Sequence, residues 1–192
     1  YYGNPSSAHW LGRKGKEAIE VSRQRVAGLV GAKPHEIIFT SGGSESNNHA
    51  LKGIAFAHKE NGKHIITSSI EHPAIINPCR YLETAGFKVT PVVVDKYGMV
   101  NPQDIEKAVT DQTILVSVMH TNNETGTIQP IREIGKMLEK RYKIQDTITK
   151  QISNNKFQII NKNPNSKFQN SNIQITDNKQ LITGNIFFPK IY

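Results

Sequence analysis

The amino-acid sequence predicts an α/β fold over residues 1–140, with a mostly parallel sheet and flanking helices. Short runs rich in β-branched and aromatic residues alternate with longer segments whose apolar residues recur at helical spacing, as in βαβ units. The run 113–119 (TILVSVM) is a nearly continuous apolar run, typical of a strand covered on both faces. At 192 residues, the chain is long enough for one domain with a sizeable core.

The first elements follow from local signals. Apolar residues at helical spacing predict a helix over residues 11–30, and Gly31 is its stop signal. The run 36–40 (EIIFT) predicts a strand. Ser44 is expected to cap a helix that continues to about residue 61, where an Asn-Gly pair indicates a turn.

The later elements alternate regularly, which supports a parallel sheet. Their predicted order is a strand at 64–67, a helix at 72–85 that ends at Gly86, a strand at 87–94, a helix at 104–110, the buried strand at 113–119 and a helix that begins at Ile131.

Residues 141–192 differ from the rest of the chain in composition. They contain no Ala, Val, Glu or His, and Asn, Ile, Lys, Phe and Tyr make up 32 of these 52 residues, against 40 of the first 140. Codons rich in A and T encode all five types. We interpret this tail as translated AT-rich DNA after a frameshift or gene break, and expect it to be disordered or irregular. A polar disordered extension and a nucleic-acid-binding tail are the alternatives.

Charge and cysteine content limit the class of protein. The net charge is +8, but the tail carries +6 of it, so residues 1–140 carry only +2 and do not indicate nucleic-acid binding. The single cysteine, Cys79, excludes an internal disulfide and fits a reducing, cytoplasmic setting. No apolar run approaches the roughly 20 residues of a membrane span, and no basic-then-apolar leader precedes the first helix.

Three polar loops are candidate ligand sites. Residues 40–47 (TSGGSESN) combine glycines, which admit a ligand close to the backbone, with a helix N-terminus, which attracts phosphate. His72 follows the strand at 64–67, where it could stack on an aromatic ring and move protons. Asn123, after the buried strand, could hydrogen-bond a hydroxyl. Each loop also has a plain structural alternative: a serine-capped junction, a surface histidine at a helix start, and a polar turn closed by Gly126.

The three loops together are more specific than any one of them. Each is predicted at the carboxyl end of a strand, so all three would converge on one edge of the sheet. One suits a phosphate, one an aromatic ring and one a hydroxyl. Pyridoxal 5′-phosphate (PLP) has all three features.

Five runs of the sequence carry a family resemblance. In their order and spacing, they resemble the NifS/IscS-type cysteine desulfurases, a branch of the class V aminotransferase-like PLP enzymes, and the match extends over residues 3–140. The runs are GNPSSAH at 3–9, FTSGGSESNNHALKG at 39–53, HIITSSIEHPAI at 64–75, LETAGFKV at 82–89 and TILVSVMHTNNETGTIQPI at 113–131.

The resemblance implies a role for each loop. Gly43 and Ser44 match the positions that hold the cofactor phosphate, and Ser44 keeps the hydroxyl of the threonine found in many members. His72 matches the catalytic histidine that stacks on the pyridine ring, and Asn123 matches the asparagine that reaches the ring oxygen. Asn4 and Ser6 lie in a segment similar to one at the active-site entrance.

The resemblance also implies an architecture and a reaction. Residues 1–140 would be a truncated part of a fold type I PLP-dependent transferase domain, normally a homodimer. The family removes sulfur from L-cysteine, giving L-alanine and a protein-bound persulfide. A scaffold protein accepts this sulfur for iron–sulfur cluster or thiocofactor synthesis.

Several of the family's functional motifs are not recognisable after Lys140. They are the aspartate at the pyridine nitrogen, the lysine that attaches the cofactor, and the mobile nucleophilic cysteine. Cys79 lies in an apolar helical run and is expected to be a buried, unreactive thiol. We therefore expect a chain that binds PLP weakly, without covalent attachment, and is inactive. Another class V activity, such as selenocysteine lyase, and a non-catalytic remnant are the alternatives.

An incomplete sheet also has consequences for packing. It would leave an open edge and an uncovered apolar face, which predicts poor solubility. Phe39, Ile66, Val92 and Val116 are the residues expected to lack packing partners.

Overall fold

The computed structural model describes residues 2–142, 181–182 and 185–189. Helices and strands alternate along the first of these ranges, which confirms the predicted α/β class. In chain order the elements are α1 (Trp10–Val30), a 3₁₀ helix (Pro34–Glu36), α2 (Gly43–Ala57), β1 (His64–Ser68), α3 (Pro73–Thr84), β2 (Lys88–Val92), α4 (Pro102–Ala108), β3 (Thr113–Met119), α5 (residues 131–142), β4 (Leu181–Ile182) and β5 (Asn185–Pro189).

The strands form one sheet in the order β2-β1-β3-β5-β4. β1 pairs in parallel with β2 on one side and with β3 on the other, so these three strands point the same way. β5 pairs antiparallel with β3, and β4 with β5. β1, at the centre of the parallel part, is buried along its whole length, and so is β3.

Side chains that alternate along β1 and β3 divide the core into two layers. On one face, Ile65 and Leu115 pack with buried residues of α2 and α3, such as Leu51. On the other face, Ile66 and Val116 pack against α4 and α5. Helices therefore cover both faces of the parallel strands, which explains why the run 113–119 is apolar on both sides.

The expectation of missing packing partners is mostly wrong. Ile66, Val92 and Val116 are buried, because α4 and α5 lie over that face of the sheet. Phe39 does remain 48% exposed, with its ring beneath the guanidinium of Arg23.

The predicted strand at 36–40 does not form. Residues 34–36 are a 3₁₀ helix, and residues 37–40 are not assigned to a strand. Ile37 has extended dihedral angles, φ −94° and ψ 124°. A strand also needs a neighbour for its backbone groups, and within the described ranges no strand pairs with this segment.

The end of α1 agrees with its local signal, whereas α2 and α4 differ from their predicted bounds. Gly31 ends α1 in the left-handed conformation at φ 69°. α4, capped by the Asn101 side chain, begins at Pro102 and ends at Ala108, each two residues earlier than predicted. α2 begins at Gly43 and has Gly42 as its N-cap, so the prediction that Ser44 caps this helix is wrong. It also ends at Ala57, before the predicted residue 61.

Most of the predicted irregular tail, residues 143–180, 183–184 and 190–192, lies outside the described residues. Its described parts are the end of α5 and the short strands β4 and β5, which belong to the sheet. The domain boundary at 140/141 stays a prediction. In the part of the chain that the structure describes, no helix has the length and apolar character to cross a membrane.

Candidate functional site

The first turn of α2 has no side-chain cap. Instead, the Glu45 carboxylate reaches back and accepts hydrogen bonds from the Ser41 hydroxyl at 2.6 Å and the Ser41 backbone N–H at 2.7 Å. Both bonds lower the pKa of Glu45, and the bond from the Ser41 hydroxyl has the larger effect. These bonds hold the loop before the helix. Gly43 and Ser44 lie in the first turn of α2, where backbone N–H groups have no acceptor within the helix.

The connection from α2 to β1 determines which edge of the sheet this turn lies at. The link is short, and the first residue of β1, His64, donates its N–H to the Gln112 carbonyl just before β3. The end of α2 therefore lies at the amino edge of the parallel strands. A helix of 15 residues extends roughly 22 Å, so the first turn of α2 lies at the opposite, carboxyl edge.

The glycines at the start of α2 leave open space in front of the helix. A Cβ atom added to Gly42 or Gly43 would meet nothing within 4 Å. Gly42 has an extended backbone, φ 166°, that any residue can adopt. Neither packing nor backbone strain requires these glycines, whereas close approach of a ligand to the backbone would explain them. This geometry fits a phosphate group.

The loop after β1 carries His72, the N-cap residue of α3. Its ring Nδ1 accepts a hydrogen bond from the Ala74 N–H at 3.0 Å, and the side chain is exposed. In the neutral ring the proton therefore lies on Nε2. Nε2 is the nitrogen that remains for exchanging protons with a ligand.

Glu71, the residue before His72, is buried with 4% exposure. One of its carboxylate oxygens, Oε1, accepts hydrogen bonds from the Ser68 hydroxyl at 2.7 Å and from the Met119 backbone N–H at 2.8 Å. Met119 is the last residue of β3, so this carboxylate joins the loop after β1 to the neighbouring strand.

The loop after β3 carries Asn122 and Asn123. Asn122 is buried, and its Oδ1 accepts hydrogen bonds from the N–H groups of Glu124 and Thr125, both at 2.9 Å. Its Nδ2 donates to the Ile70 carbonyl in the loop after β1 at 3.1 Å. Asn122 thus has the structural role of the polar turn that was the alternative for this loop. The Asn123 side chain is exposed.

The structure thus joins two of the three predicted loops directly. The loops that carry His72 and Asn123 follow adjacent parallel strands and are linked by side-chain hydrogen bonds in both directions. Gly43 and Ser44 lie at the same carboxyl edge of the sheet, because α2 ends at the amino edge and begins at the opposite one. The segment of Asn4 and Ser6 lies beside the first turns of α1, where a Cβ atom added to Gly12 would stand 2.5 Å from the Asn4 carbonyl oxygen.

Sequence reasoning did not assign a role to Glu71 or Asn122. The sequence feature that could have indicated them is their position: each is a polar residue shortly after an apolar strand and directly before a predicted site residue. Their burial and their partners across the loops depend on the spatial order of the strands, which the motifs do not state.

Cys79 is buried on α3, as predicted from its apolar neighbours. Burial, followed by the charges of Glu71 and Glu83, raises the pKa of its thiol to about 12. A thiol of this pKa is protonated at neutral pH and is a poor nucleophile. Among the described residues, no group of three or more His, Cys, Asp or Glu side chains could hold a metal ion.

Comparison with known proteins agrees with these observations. A protein-family model described as aminotransferase class-V matches residues 1–146. The cysteine desulfurase IscS of Dictyoglomus turgidum is 54% identical over 143 residues, which are 74% of this chain and 36% of that protein. The IscS of Methanosarcina thermophila is 55% identical over 139 residues, 72% of this chain and 34% of that protein. The chain thus spans about a third of the length of these curated relatives.

Solved structures share the fold. SspA in complex with cysteine superimposes with a TM-score of 0.68 at 44% identity, over 73% of this chain and 40% of that one. A NifS-like protein gives a TM-score of 0.69 at 43% identity, over 72% of this chain and 38% of that one. The parallel three-stranded sheet with its flanking helices is therefore the architecture found in these proteins.

Proposed function

We propose a function on the premise that this chain belongs to the class V aminotransferase family, with IscS/NifS cysteine desulfurases as its homologues. It is the cofactor-binding N-terminal part of a cysteine desulfurase. The observation that carries this proposal is the pair of hydrogen bonds that joins the loops of His72 and Asn123 at the carboxyl edge of the sheet.

The cofactor of the proposed site is PLP, which when bound withdraws electrons from the substrate carbon. The N–H groups of Gly43 and Ser44, together with the Ser44 hydroxyl, would hold its phosphate. His72 would lie against the ring and exchange protons through Nε2, because its Nδ1 is occupied by the Ala74 N–H. The exposed Asn123 amide would donate to the ring hydroxyl oxygen.

The substrate of the proposed parent activity is L-cysteine. The solved relative SspA is described in complex with cysteine, which favours this substrate over selenocysteine. The products would be L-alanine and a protein-bound persulfide, whose sulfur passes to an acceptor protein in the cytoplasm. A homodimer is the proposed assembly, by the resemblance to intact relatives.

The 192 residues by themselves are proposed to be inactive. Sulfur transfer needs a reactive thiol, and the sequence contains one cysteine. That cysteine, Cys79, is buried with a pKa of about 12. No lysine of the sequence lies in a context that resembles the family's cofactor-attaching lysine. Binding of PLP would therefore be non-covalent.

A titration tests the proposal. The purified chain is titrated with PLP and, in parallel, with pyridoxine 5′-phosphate, which lacks the aldehyde and cannot react with surface lysines. We expect both compounds to shift the amide NMR signals of Gly43, Ser44 and Asn123. We also expect no sulfide release from cysteine and no lysine adduct after borohydride reduction. Shifts confined to residues far from this edge would contradict the site, and cysteine-dependent sulfide release would contradict the proposed inactivity.

A further inference from the structure

Two predicted site residues share the same local arrangement. His72 and Asn123 are exposed, and each directly follows a buried polar residue, Glu71 or Asn122. Each buried residue makes a hydrogen bond that crosses between the two strand ends. The arrangement is reciprocal: the Glu71 carboxylate accepts from the end of β3, and the Asn122 amide donates to the loop after β1.

These bonds lie where the backbone pairing between the strands has stopped. The last paired residues of β1 and β3 are Thr67 and Ser117. Beyond them, only the pairing of β1 with β2 continues, since Ser68 pairs with Val92 and the Ser69 N–H donates to the Val92 carbonyl. The two side-chain bonds therefore continue the connection between β1 and β3 past the end of the ladder, up to the residues before His72 and Asn123.

Glu71 is a costly residue to bury, since a carboxylate loses its hydration there unless hydrogen bonds replace it. Its Oε1 alone accepts two such bonds, at 2.7 and 2.8 Å. Asn122 likewise uses both ends of its amide, its oxygen within its own loop and its nitrogen across to Ile70. Both side chains thus have geometry that holds two backbone segments in one relative position.

We propose that Glu71 and Asn122 form a loop clamp, and that they are positioning residues for the cofactor. They set the separation and orientation of His72 and Asn123, so that one side chain lies against the ring while the other reaches its hydroxyl. This inference rests on the proposed function for its ligand. The clamp itself can be observed without one.

Matched variants separate the clamp from general stability. Glu71→Ala removes the two bonds that Oε1 accepts, whereas Glu71→Gln keeps an oxygen that can accept them. Asn122→Asp keeps the oxygen that holds its own turn but replaces the donor to the Ile70 carbonyl with a second oxygen. Glu83→Gln, at an exposed position of α3, and Asn101→Asp, at a cap that aspartate serves equally well, are the controls.

The first measurement uses the full chain without ligand. We expect single, sharp NMR signals from the His72 ring and the Asn123 amide in the wild type, in Glu71→Gln and in both controls. We expect these signals to broaden or to split in Glu71→Ala and Asn122→Asp, because the two loops are no longer tied. Far-UV circular dichroism checks that the variants retain their helices.

The second measurement is titration with pyridoxine 5′-phosphate. We expect the dissociation constant to rise about tenfold in Glu71→Ala and Asn122→Asp, as for the loss of one positioning contact, and to change less than threefold in Glu71→Gln and the controls. If Glu71→Ala does not fold, the affinity and NMR signals of Asn122→Asp test the clamp by themselves. Wild-type affinity and unchanged signals in a folded clamp variant overturn the proposal, as does a Glu71→Gln variant as weak as Glu71→Ala.

Failure of the proposed function gives a different result. If the wild-type chain binds neither PLP nor its analogue, the cofactor assignment fails. The His72 and Asn123 signals then decide the clamp alone: broadening in the two clamp variants supports it, and unchanged signals overturn it.

Discussion

His64 and Thr113 are joined across the parallel strands by a buried hydrogen bond of 2.8 Å between Nδ1 and Oγ1. The other ring nitrogen, Nε2, lies 2.8 Å from the Thr90 hydroxyl on β2. His64 thus connects all three parallel strands at the amino edge of the sheet. Burial and, secondly, the charge of Lys88 lower the pKa of this histidine, which favours its neutral form in the folded chain.

This histidine makes stability depend on pH. In the unfolded chain, His64 takes up a proton as the pH falls below about 6.5, whereas in the folded chain it does so only at lower pH. Its stabilising contribution is therefore complete above pH 6.5 and is lost as the pH falls through the lowered folded pKa. We expect the free energy of unfolding, measured with urea at pH 7.5 to 5, to decrease toward acid.

The variant His64→Gln isolates the effect. It cannot satisfy both threonine hydroxyls, so we expect a loss of about 1–3 kcal/mol at pH 7. The decrease in stability between pH 7 and 5 should be smaller than in the wild type. An equally steep decrease would assign the pH dependence to other groups.

Gly43 offers a test of the phosphate cradle. Alanine at this helical position meets no protein atom within 4 Å and should stabilise the chain by up to about 1 kcal/mol. The added methyl group would, however, stand where the phosphate approaches. We expect Gly43→Ala to raise the melting temperature slightly and to weaken binding of pyridoxine 5′-phosphate at least tenfold.

The matched control is Gly53→Ala, since Gly53 is an exposed glycine of the same helix with equally open surroundings. It should stabilise the chain without changing affinity. Equal affinities of the two alanine variants would mean that the phosphate does not approach Gly43.

Cys79 is predicted to be chemically silent in the folded chain. With its thiol pKa raised to about 12, it should not react with a thiol reagent such as Ellman's reagent at pH 8. It should react at once in 6 M urea, where burial is lost. Cys79→Ala should leave binding of pyridoxine 5′-phosphate unchanged. Rapid labelling of the native protein would show that α3 opens readily.

Two neighbouring hydroxyl groups of β1 differ in their hydrogen bonding, and this difference predicts different effects on stability when each is removed. Thr67 faces Ser117 across β1 and β3, and the described part of the chain offers neither buried hydroxyl a hydrogen-bond partner. Thr67→Val removes one such hydroxyl at nearly constant shape. We expect it to be neutral or to stabilise by up to about 1 kcal/mol, because no hydrogen bond is lost.

The adjacent residue provides the comparison. The Ser68 hydroxyl donates to Glu71 at 2.7 Å, so Ser68→Ala should destabilise by about 1–3 kcal/mol, the cost of weakening a charged hydrogen bond. Urea unfolding measures both. A Thr67→Val variant as unstable as Ser68→Ala would indicate that a bound water satisfies the Thr67 hydroxyl.

Much of the fold follows from the sequence because its signals are local. The stop at Gly31 depends on the left-handed conformation that glycine adopts freely, and the run 113–119 is apolar because helices lie on both sides of it. The order and spacing of the motifs likewise indicated the family and the loops that carry His72 and Asn123. Their roles toward a cofactor remain predictions.

Only the tertiary structure decided which segments pair and which side chains meet. The β-branched run at 36–40 has the composition of a strand, but a strand exists only where a neighbour accepts its backbone hydrogen bonds. Glu71 and Asn122 appear in the sequence as two unremarkable polar residues some 50 positions apart. They hold two loops together because β1 and β3 are neighbours in the sheet, and that adjacency results from packing the whole chain.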